Sequence, residues 1–224
     1  MNLNRVQKID KAVSLRNALI SVADKTGLEE FVRGLAAACP GIRIYSTGGT
    51  YAALEKILGP DTLCQVSSYT GQPEMQGGLV KTLDYRIYLG LLSETYNPRH
   101  QEDLRRTRSR AFDLVAVNLY PFKEASAAAG ATPEDARTHI DIGGPCMLRA
   151  AAKNFLRVAA VCDPADYPAL LEELKKSGGR MDILTRFRLA KKVFRHTAGY
   201  DAAIADYFSA LPDAAADTIY EIKE

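Results

Sequence analysis

"NALISVADKTGLEEFVRGLAAACPGIRIYSTGGTYAALEKIL", residues 17–58, contains two strand-like runs, each followed by a polar loop and a helical pattern. The runs at 17–22 and 42–46 are typical of short strands, whereas 28–38 and 51–58 have helical spacing. This strand–helix–strand–helix order favours a parallel sheet with helices packed on its faces. The predicted fold class is therefore α/β.

The remaining sequence continues the alternation. The stretches 113–122 and 157–163 are typical of buried strands, and helices are predicted to start near Thr132 and Gly143 and again after Asp163. From Met181 to Phe208 only helices are predicted. We therefore expect one domain over residues 1–224, with a core at about 15–165, a helical C-terminal part at about 166–224, and no room for a second catalytic domain.

Composition and charge exclude several classes of function. The 29 basic and 27 acidic residues give a net charge of +2, which provides no reason to expect a nucleic-acid partner. The basic run "RRTRSR" at 105–110 is typical of a solvated helix end. The four cysteines lack C-x-x-C spacing and the three histidines lack H-x-x-x-H spacing, so no metal site is predicted.

The cellular compartment is predicted from the lack of a signal peptide pattern and of a membrane span in the sequence. The charged N-terminal stretch does not resemble a signal peptide. No run of eighteen apolar residues is present, so no membrane span is expected. The sequence therefore predicts a cytoplasmic protein without a membrane partner.

The stretch "STGGT", residues 46–50, is a candidate anion site. Gly48 and Gly49 would let the backbone approach a ligand closely at the start of a helix, where free N–H groups attract phosphate. A plain strand-to-helix turn would explain the glycines equally well. Lys25, expected at the end of the neighbouring strand, supplies a full positive charge and favours the phosphate site.

Further polar residues are expected at the same edge of the sheet. Lys81 follows the glycine-led, mostly apolar stretch "GGLV", and Asp141 precedes "IGG". Tyr120 follows a predicted strand, and Lys153 lies on a predicted helix at i+4 from Arg149. A solvated surface position would explain any one of these lysines alone. Together with Asp141 beside a phosphate loop, they predict a catalytic constellation.

The chain resembles inosine monophosphate cyclohydrolase, the N-terminal half of the bifunctional purine-biosynthesis protein. Six motifs carry the resemblance, in order, over about residues 15–208: "SVADKTGL", "STGGT", "SYTGQPEMQGGLVKTL", "NLYPF", "IDIGGPCMLRAAAKNF" and "HTAGYDAAIADYF". The resemblance implies a methylglyoxal-synthase-like fold, a parallel sheet flanked by helices with a C-terminal helical part. It also implies a homodimer, and the formyltransferase half is not expected in this chain.

The family reaction closes the purine ring of 5-formamidoimidazole-4-carboxamide ribonucleotide with loss of water, and it requires no metal or other cofactor. The resemblance implies that Lys81 and Thr82 face the formyl oxygen, that Asp141 orients or deprotonates the carboxamide nitrogen, and that Lys153 donates and accepts protons. Tyr120, also among the catalytic residues, lines the base pocket with Asn118. The other implied substrate-binding residues are Asp24, Lys25, Thr47, Gly48, Gly49, Thr50, Ile142 and Gly143.

The sequence departs from the family at several positions. The family reads Gly-Arg-Val-Lys-Thr-Leu-His-Pro where this chain reads Gly78-Leu79-Val80-Lys81-Thr82-Leu83-Asp84-Tyr85, so Leu79 replaces an arginine that contacts the nucleotide. Ala23 replaces a serine, and Tyr88 falls where the family has a His-x-Gly-Gly-type segment. Lys81, Asp141 and Lys153 are retained.

Two alternatives to the cyclohydrolase remain open at this point. The same class of domain binds phosphorylated metabolites without catalysis in other proteins, and Leu79 and Ala23 are compatible with such a sensor. A methylglyoxal synthase would require paired acidic catalytic residues early in the chain, and the six motifs do not indicate it. Retention of both lysines and Asp141 favours the enzyme, with a purine ribonucleotide as its small-molecule substrate.

Overall fold

The computed structural model describes residues 5–73, 75–78 and 80–223. Its main sheet has five parallel strands in the order β4-β3-β2-β5-β6, and two further strands, β1 and β7, form an antiparallel pair. The strands are β1 Ala12–Ser14, β2 Asn17–Val22, β3 Arg43–Ser46, β4 Leu63–Gln65, β5 Leu114–Asn118, β6 Ala159–Val161 and β7 Arg180–Asp182. The predicted α/β class with a parallel sheet flanked by helices is confirmed.

Helices connect and cover these strands. They are α1 Leu28–Ala38, α2 Gly48–Leu54, α3 Val66–Thr70, α4 Tyr85–Leu92, α5 Pro98–Arg106, α6 Phe122–Ser126, α7 Pro133–Thr138, α8 Gly143–Lys153, α9 Tyr167–Ser177, α10 Ile183–Ser209 and α11 Ala215–Ile219. Two single 3₁₀ turns lie at Gln76–Gly78 and Pro164–Asp166.

Both faces of the sheet are buried, and the side-chain alternation of the central strands divides the core in two. Ala18, Ile20 and Val22 of β2 pack with α1 and α9 on one face. Leu19 of β2 and Val115 of β5 pack on the other face, against α4, α8 and α10. Successive strand residues point to opposite faces, so a strand covered on both sides must be apolar at every position.

Local capping signals set several helix ends. Thr132 caps α7 in a capping box, since its Oγ1 accepts from the Asp135 N–H while the Asp135 carboxylate accepts from the Thr132 N–H. Gly178 ends α9 with φ of 64°, a left-handed conformation that favours glycine. Arg105 and Arg106 of the "RRTRSR" run form the exposed end of α5, as predicted, whereas Ser109, beyond the helix, is buried.

The structure corrects two predictions about secondary structure. Helix α2 begins at Gly48 rather than at Tyr51, so the two glycines form its first turn. The expectation of helices alone after Met181 is wrong, because Met181 lies in β7 and pairs with Val13 of β1. A three-residue strand has no periodicity of its own, and only its distant partner stabilises it. The 166–224 part is therefore not wholly helical.

Candidate active site

The candidate site lies where β2, β3 and β5 end. The strand register aligns Ile20 with Ser46 and Val22 with Asn118, so the loops that follow these strands emerge at the same edge of the sheet. Ligands of open parallel sheets bind outside this carboxyl edge. Most of the residues predicted to form the site lie here.

The loop after β3 has open space above Gly49 and the Lys81 ammonium group above Gly48. Thr47 caps α2 without a side-chain hydrogen bond to the helix, and Gly48 adopts φ of 48°. A Cβ built on Gly49 would meet no atom within 4 Å. At Gly48 the nearest atom to such a Cβ is Nζ of Lys81, at 3.1 Å. The ammonium group of Lys81 therefore lies directly beside the predicted phosphate loop.

Two hydroxyl groups at this loop form hydrogen bonds with the backbone of β2. Thr50 Oγ1 donates to the Val22 carbonyl and accepts from the Val22 N–H, both at 3.0 Å. Ser46 Oγ donates to the Ile20 carbonyl at 2.8 Å. The predicted contact between Thr50 and phosphate is therefore not supported, because the hydroxyl already joins the loop to β2. The buried Thr47 hydroxyl lies 3.3 Å from that of Ser21.

The loop after β2 carries Asp24 and Lys25. Asp24 Oδ1 accepts hydrogen bonds from the Thr26 N–H at 2.9 Å and the Thr26 hydroxyl at 2.7 Å. These bonds, with the hydroxyl contributing most, hold the pKa of the exposed Asp24 below its usual value. The Lys25 side chain is exposed, with Nζ 3.4 Å from the Ala23 carbonyl oxygen. The Lys25 ammonium group is thus accessible to an anion.

Asn118 holds this loop in place. Its Oδ1 accepts from the N–H groups of Ala23 at 2.6 Å and Asp24 at 2.9 Å, and its Nδ2 donates to the Asp24 carbonyl at 2.7 Å. The amide is thereby committed to the backbone. Asn118 consequently positions the β2 loop, and its role in lining the base pocket stays a prediction from the resemblance.

Lys81 and Thr82 lie between the phosphate loop and the start of α8. Gly78 has φ of 69°, and a Cβ there would stand 2.3 Å from Cε and 2.7 Å from Nζ of Lys81. Only glycine leaves room for this path of the lysine. The next residue, Thr82, is buried, and its Oγ1 is 2.9 Å from where a Cβ of Gly143 would stand. Lys81 and Thr82 thus face two different parts of the site.

Asp141 is held in the turn before α8. Its Oδ1 accepts from the Gly144 N–H at 2.8 Å, and its own N–H donates to the hydroxyl of Tyr200 on α10, also at 2.8 Å. Burial raises the pKa of the carboxyl group, and the backbone N–H groups of Gly144 and Tyr120 oppose that rise. A carboxylate with a raised pKa is a stronger base.

Two residues beside Asp141 are solvent-accessible. The side chains of Tyr120 and Ile142 are 54% and 60% exposed. Either side chain is therefore available to cover one side of a bound ligand. Gly143 begins α8, and its backbone faces Thr82.

Lys153 is not brought to this edge. It is the last residue of α8, which begins at Gly143, and ten helical steps separate the two Cα atoms by about 15 Å. The next residue, Asn154, donates to the carbonyls of Leu91 and Ser93 at the far end of α4. Within one chain, Lys153 therefore does not join Lys81 and Asp141, and its proton-transfer role stays a prediction from the resemblance.

The residues that depart from the family pattern lie in different parts of the chain. Asp84 and Tyr85 start α4, with the Asp84 carboxylate accepting from the Arg86 N–H at 2.7 Å. Ala23 contributes backbone groups to the β2 loop. Leu79, where the family has an arginine, lies outside the described residues.

The described ranges contain neither a helix fit to span a membrane nor a cluster of metal ligands. None of the helices in these ranges is both apolar enough and long enough to cross a bilayer. The His, Cys, Asp and Glu side chains that the structure describes form no group of three that could hold a metal ion.

The chain matches two family models: the MGS-like domain over residues 27–146 and the AICARFT/IMPCHase bienzyme over residues 151–223. It is 48% identical over 200 residues to the bifunctional purine biosynthesis protein PurH of Acidithiobacillus ferrooxidans. That alignment covers 89% of this chain and 38% of PurH. A solved structure, ForH, is similar with a TM-score of 0.74 and 32% identity, covering 87% of this chain and 97% of ForH. The chain therefore belongs to the MGS-like domain family and carries, from residue 151 onward, sequence of the AICARFT/IMPCHase bienzyme family.

Proposed function

We propose that this protein acts in purine biosynthesis as an inosine monophosphate cyclohydrolase. The proposal rests above all on the placement of Lys81 and Thr82, which lie between the open phosphate loop at Gly48 and the start of α8 at Gly143. One end of this site would take a phosphate group, and the other presents a carboxylate. The similarity to PurH supports a substrate of purine biosynthesis.

The phosphate of the ribonucleotide would bind over Gly48 and Gly49, between the charges of Lys25 and Lys81. Backbone N–H groups at a glycine turn bind phosphate oxygens, and two lysines supply full charge. The β2 loop that carries Lys25 is fixed by Asn118. The arrangement thus offers a preorganised anion site, which lowers the entropic cost of binding.

Ring closure would start with Asp141. The carboxamide nitrogen attacks the formyl carbon, a C–N bond forms, and the carboxamide proton passes to the Asp141 carboxylate. The formyl oxygen gains negative charge, which the Lys81 ammonium stabilises, with Thr82 as a second donor. The oxygen takes up two protons, the one held by Asp141 and the one released by the former formamide nitrogen, and leaves as water while the C=N bond forms. Atoms and charges balance without a further reactant.

The test is an ultraviolet assay of inosine monophosphate formation from the formamido ribonucleotide. We expect turnover by the wild type, and a loss of about 100- to 1000-fold in kcat for Lys81→Ala, the scale of a lost oxyanion donor. Lys56→Ala, an exposed lysine just after α2, is the matched control and should retain full activity. Tight binding of the product nucleotide without turnover by the wild type would contradict the proposal and indicate a sensor domain.

A further inference from the structure

The hydroxyl of Tyr200 is bonded to both ends of the turn that leads into Asp141. It accepts from the Asp141 N–H at 2.8 Å and donates to the His139 carbonyl at 3.1 Å. Tyr200 lies on α10, about sixty residues further along the chain than the turn. These two bonds thus tie a distant helix to the backbone of the proposed base.

The ring of Tyr200 reaches a second segment that supports Asp141. It meets the buried ring of Phe122 edge-on, with ring centroids 6.3 Å apart. Phe122 closes the "NLYPF" stretch, and the backbone of that stretch at Tyr120 lowers the pKa of the Asp141 carboxyl group. Tyr200 therefore contacts both the turn that carries Asp141 and the segment whose backbone acts on its carboxyl group.

The remaining support of Asp141 fixes its orientation. Oδ1 accepts from the Gly144 N–H, and a Cβ on Gly144 would stand 2.5 Å from Oδ2. The carboxylate is thus in close contact with the first turn of α8. The contacts with Gly144 fix the orientation of the Asp141 carboxylate, whereas the hydrogen bonds to Tyr200 fix the position of the Asp141 backbone.

We propose that Tyr200 is a positioning residue for the cyclisation, which holds Asp141 at the distance that proton transfer from the carboxamide requires. This inference rests on the proposed function. A base must lie within hydrogen-bond reach of the proton that it removes, and a displacement of about 1 Å can cost on the order of 100-fold in rate. The family models divide the chain before Tyr200, so the proposal gives the C-terminal segment a direct part in the chemistry of the MGS-like part.

The first test is the effect of Tyr200→Phe on kcat and KM. This change keeps the ring on Phe122 and removes the oxygen that makes both bonds. We expect kcat to fall about 10- to 100-fold with KM within about twofold, because the substrate contacts remain. Tyr207→Phe is the matched control: Tyr207 also packs on Phe122, at 5.8 Å, and its hydroxyl makes no hydrogen bond to another described residue. It should behave as the wild type.

The second test does not depend on turnover. Carbon-13 NMR of the Asp141 carboxyl group gives its pKa, which burial raises in the wild type above the ordinary value of 3.8. In Tyr200→Phe the turn should open to water, and the pKa should move down toward 3.8, whereas Tyr207→Phe should leave it unchanged. Because an unfolded chain would also show a pKa near 3.8, the far-ultraviolet circular dichroism of Tyr200→Phe must match that of the wild type for the comparison to count.

The outcomes separate this inference from the proposed function. An inactive wild type would overturn the proposed function, and the NMR comparison would still decide whether Tyr200 holds Asp141. An unchanged pKa in Tyr200→Phe would overturn the inference. Unchanged kcat in an active enzyme would do the same.

Discussion

The side-chain amide of Asn118, at the end of β5, forms two hydrogen bonds with the backbone of Asp24, in the loop after β2: Nδ2 donates to the Asp24 carbonyl at 2.7 Å and Oδ1 accepts from the Asp24 N–H at 2.9 Å. A third bond, from the Ala23 N–H, completes the set. A polar residue at the end of a buried strand thus fixes the neighbouring loop, and with it the position of Lys25.

Asn118→Ala should loosen this loop. The variant leaves two N–H groups and one carbonyl without these partners, and we expect a loss of about 1–3 kcal/mol in the free energy of unfolding. The KM for the ribonucleotide should rise because Lys25 is no longer held in place. Urea unfolding and steady-state kinetics measure both effects. An unchanged KM would show that the loop keeps its shape without the amide.

Lys25→Ala should weaken phosphate binding. We expect a loss of about 1.5–3 kcal/mol in the binding free energy of the product nucleotide, the scale of a charged hydrogen bond. Inorganic phosphate should compete with the nucleotide in the wild type. Calorimetry with both ligands measures these effects. Equal affinities for wild type and variant would remove Lys25 from the anion site.

Gly78→Ala should displace Lys81 without unfolding the protein. The new Cβ would overlap the lysine side chain, which is flexible and can move away. We expect kcat to fall by about 10- to 100-fold, the effect of a misplaced catalytic group. Gly71→Ala is the control, since Gly71 has a similar φ of 75° and nothing within 4 Å of its Cβ position. Both variants should lose about 1–2 kcal/mol of stability from backbone strain. Equal activities would contradict the role of Gly78.

Asp141→Asn should separate stability from activity. Burial raises the folded-state pKa of Asp141 above its unfolded value. At pH values above the folded pKa, the ionised carboxylate therefore destabilises the folded state. The neutral amide lacks this cost, so the variant should have a higher Tm than the wild type near about pH 7, and the difference should vanish below the unfolded pKa. Its kcat should fall by about 100- to 10,000-fold with the loss of the base.

Calorimetry at neutral and acidic pH measures the stability effect of Asp141→Asn. Asp24→Asn provides a control of opposite sign, because hydrogen bonds lower the pKa of Asp24. That carboxylate stabilises the fold above its unfolded pKa, and the stabilisation is lost as the pH falls through the lowered folded value. A lower Tm for Asp141→Asn at neutral pH would contradict the prediction, because it would show that the ionised carboxylate does not destabilise the folded state.

Asp113→Ala should be strongly destabilising. The buried Asp113 carboxylate pairs with Arg157 and accepts from the N–H groups of Arg16 and Asn17, both at 2.9 Å. Removing it leaves a buried guanidinium unpaired, at a cost of about 3–5 kcal/mol. Glu102→Ala breaks an exposed pair with Arg105 and should cost less than about 1 kcal/mol. Thermal unfolding of the two variants measures the contrast, and similar losses would contradict it.

The sequence by itself determined the architecture and most of the edge where the site lies. The apolar runs at 17–22 and 113–122 predicted strands, the second of them a buried one, because a strand covered by helices on each side is apolar on both faces. Polar loops with glycines after such strands predicted the site, because parallel strands end at the same edge. The helix predicted to start at Gly143 also implies a separation of about 15 Å between the Cα atoms of Gly143 and Lys153.

Only the tertiary structure decided which polar atoms are free for a ligand. Thr50 and Asn118 have the residue types of ligand contacts, yet their side chains bond to the backbone at Val22 and Asp24. Tyr200 belongs to a recognised motif, but nothing local indicates that its hydroxyl meets Asp141. Strand β7 likewise depends on β1, far away in the sequence. Local patterns encode burial and backbone shape, whereas hydrogen-bond partners distant in sequence are fixed only when the chain packs.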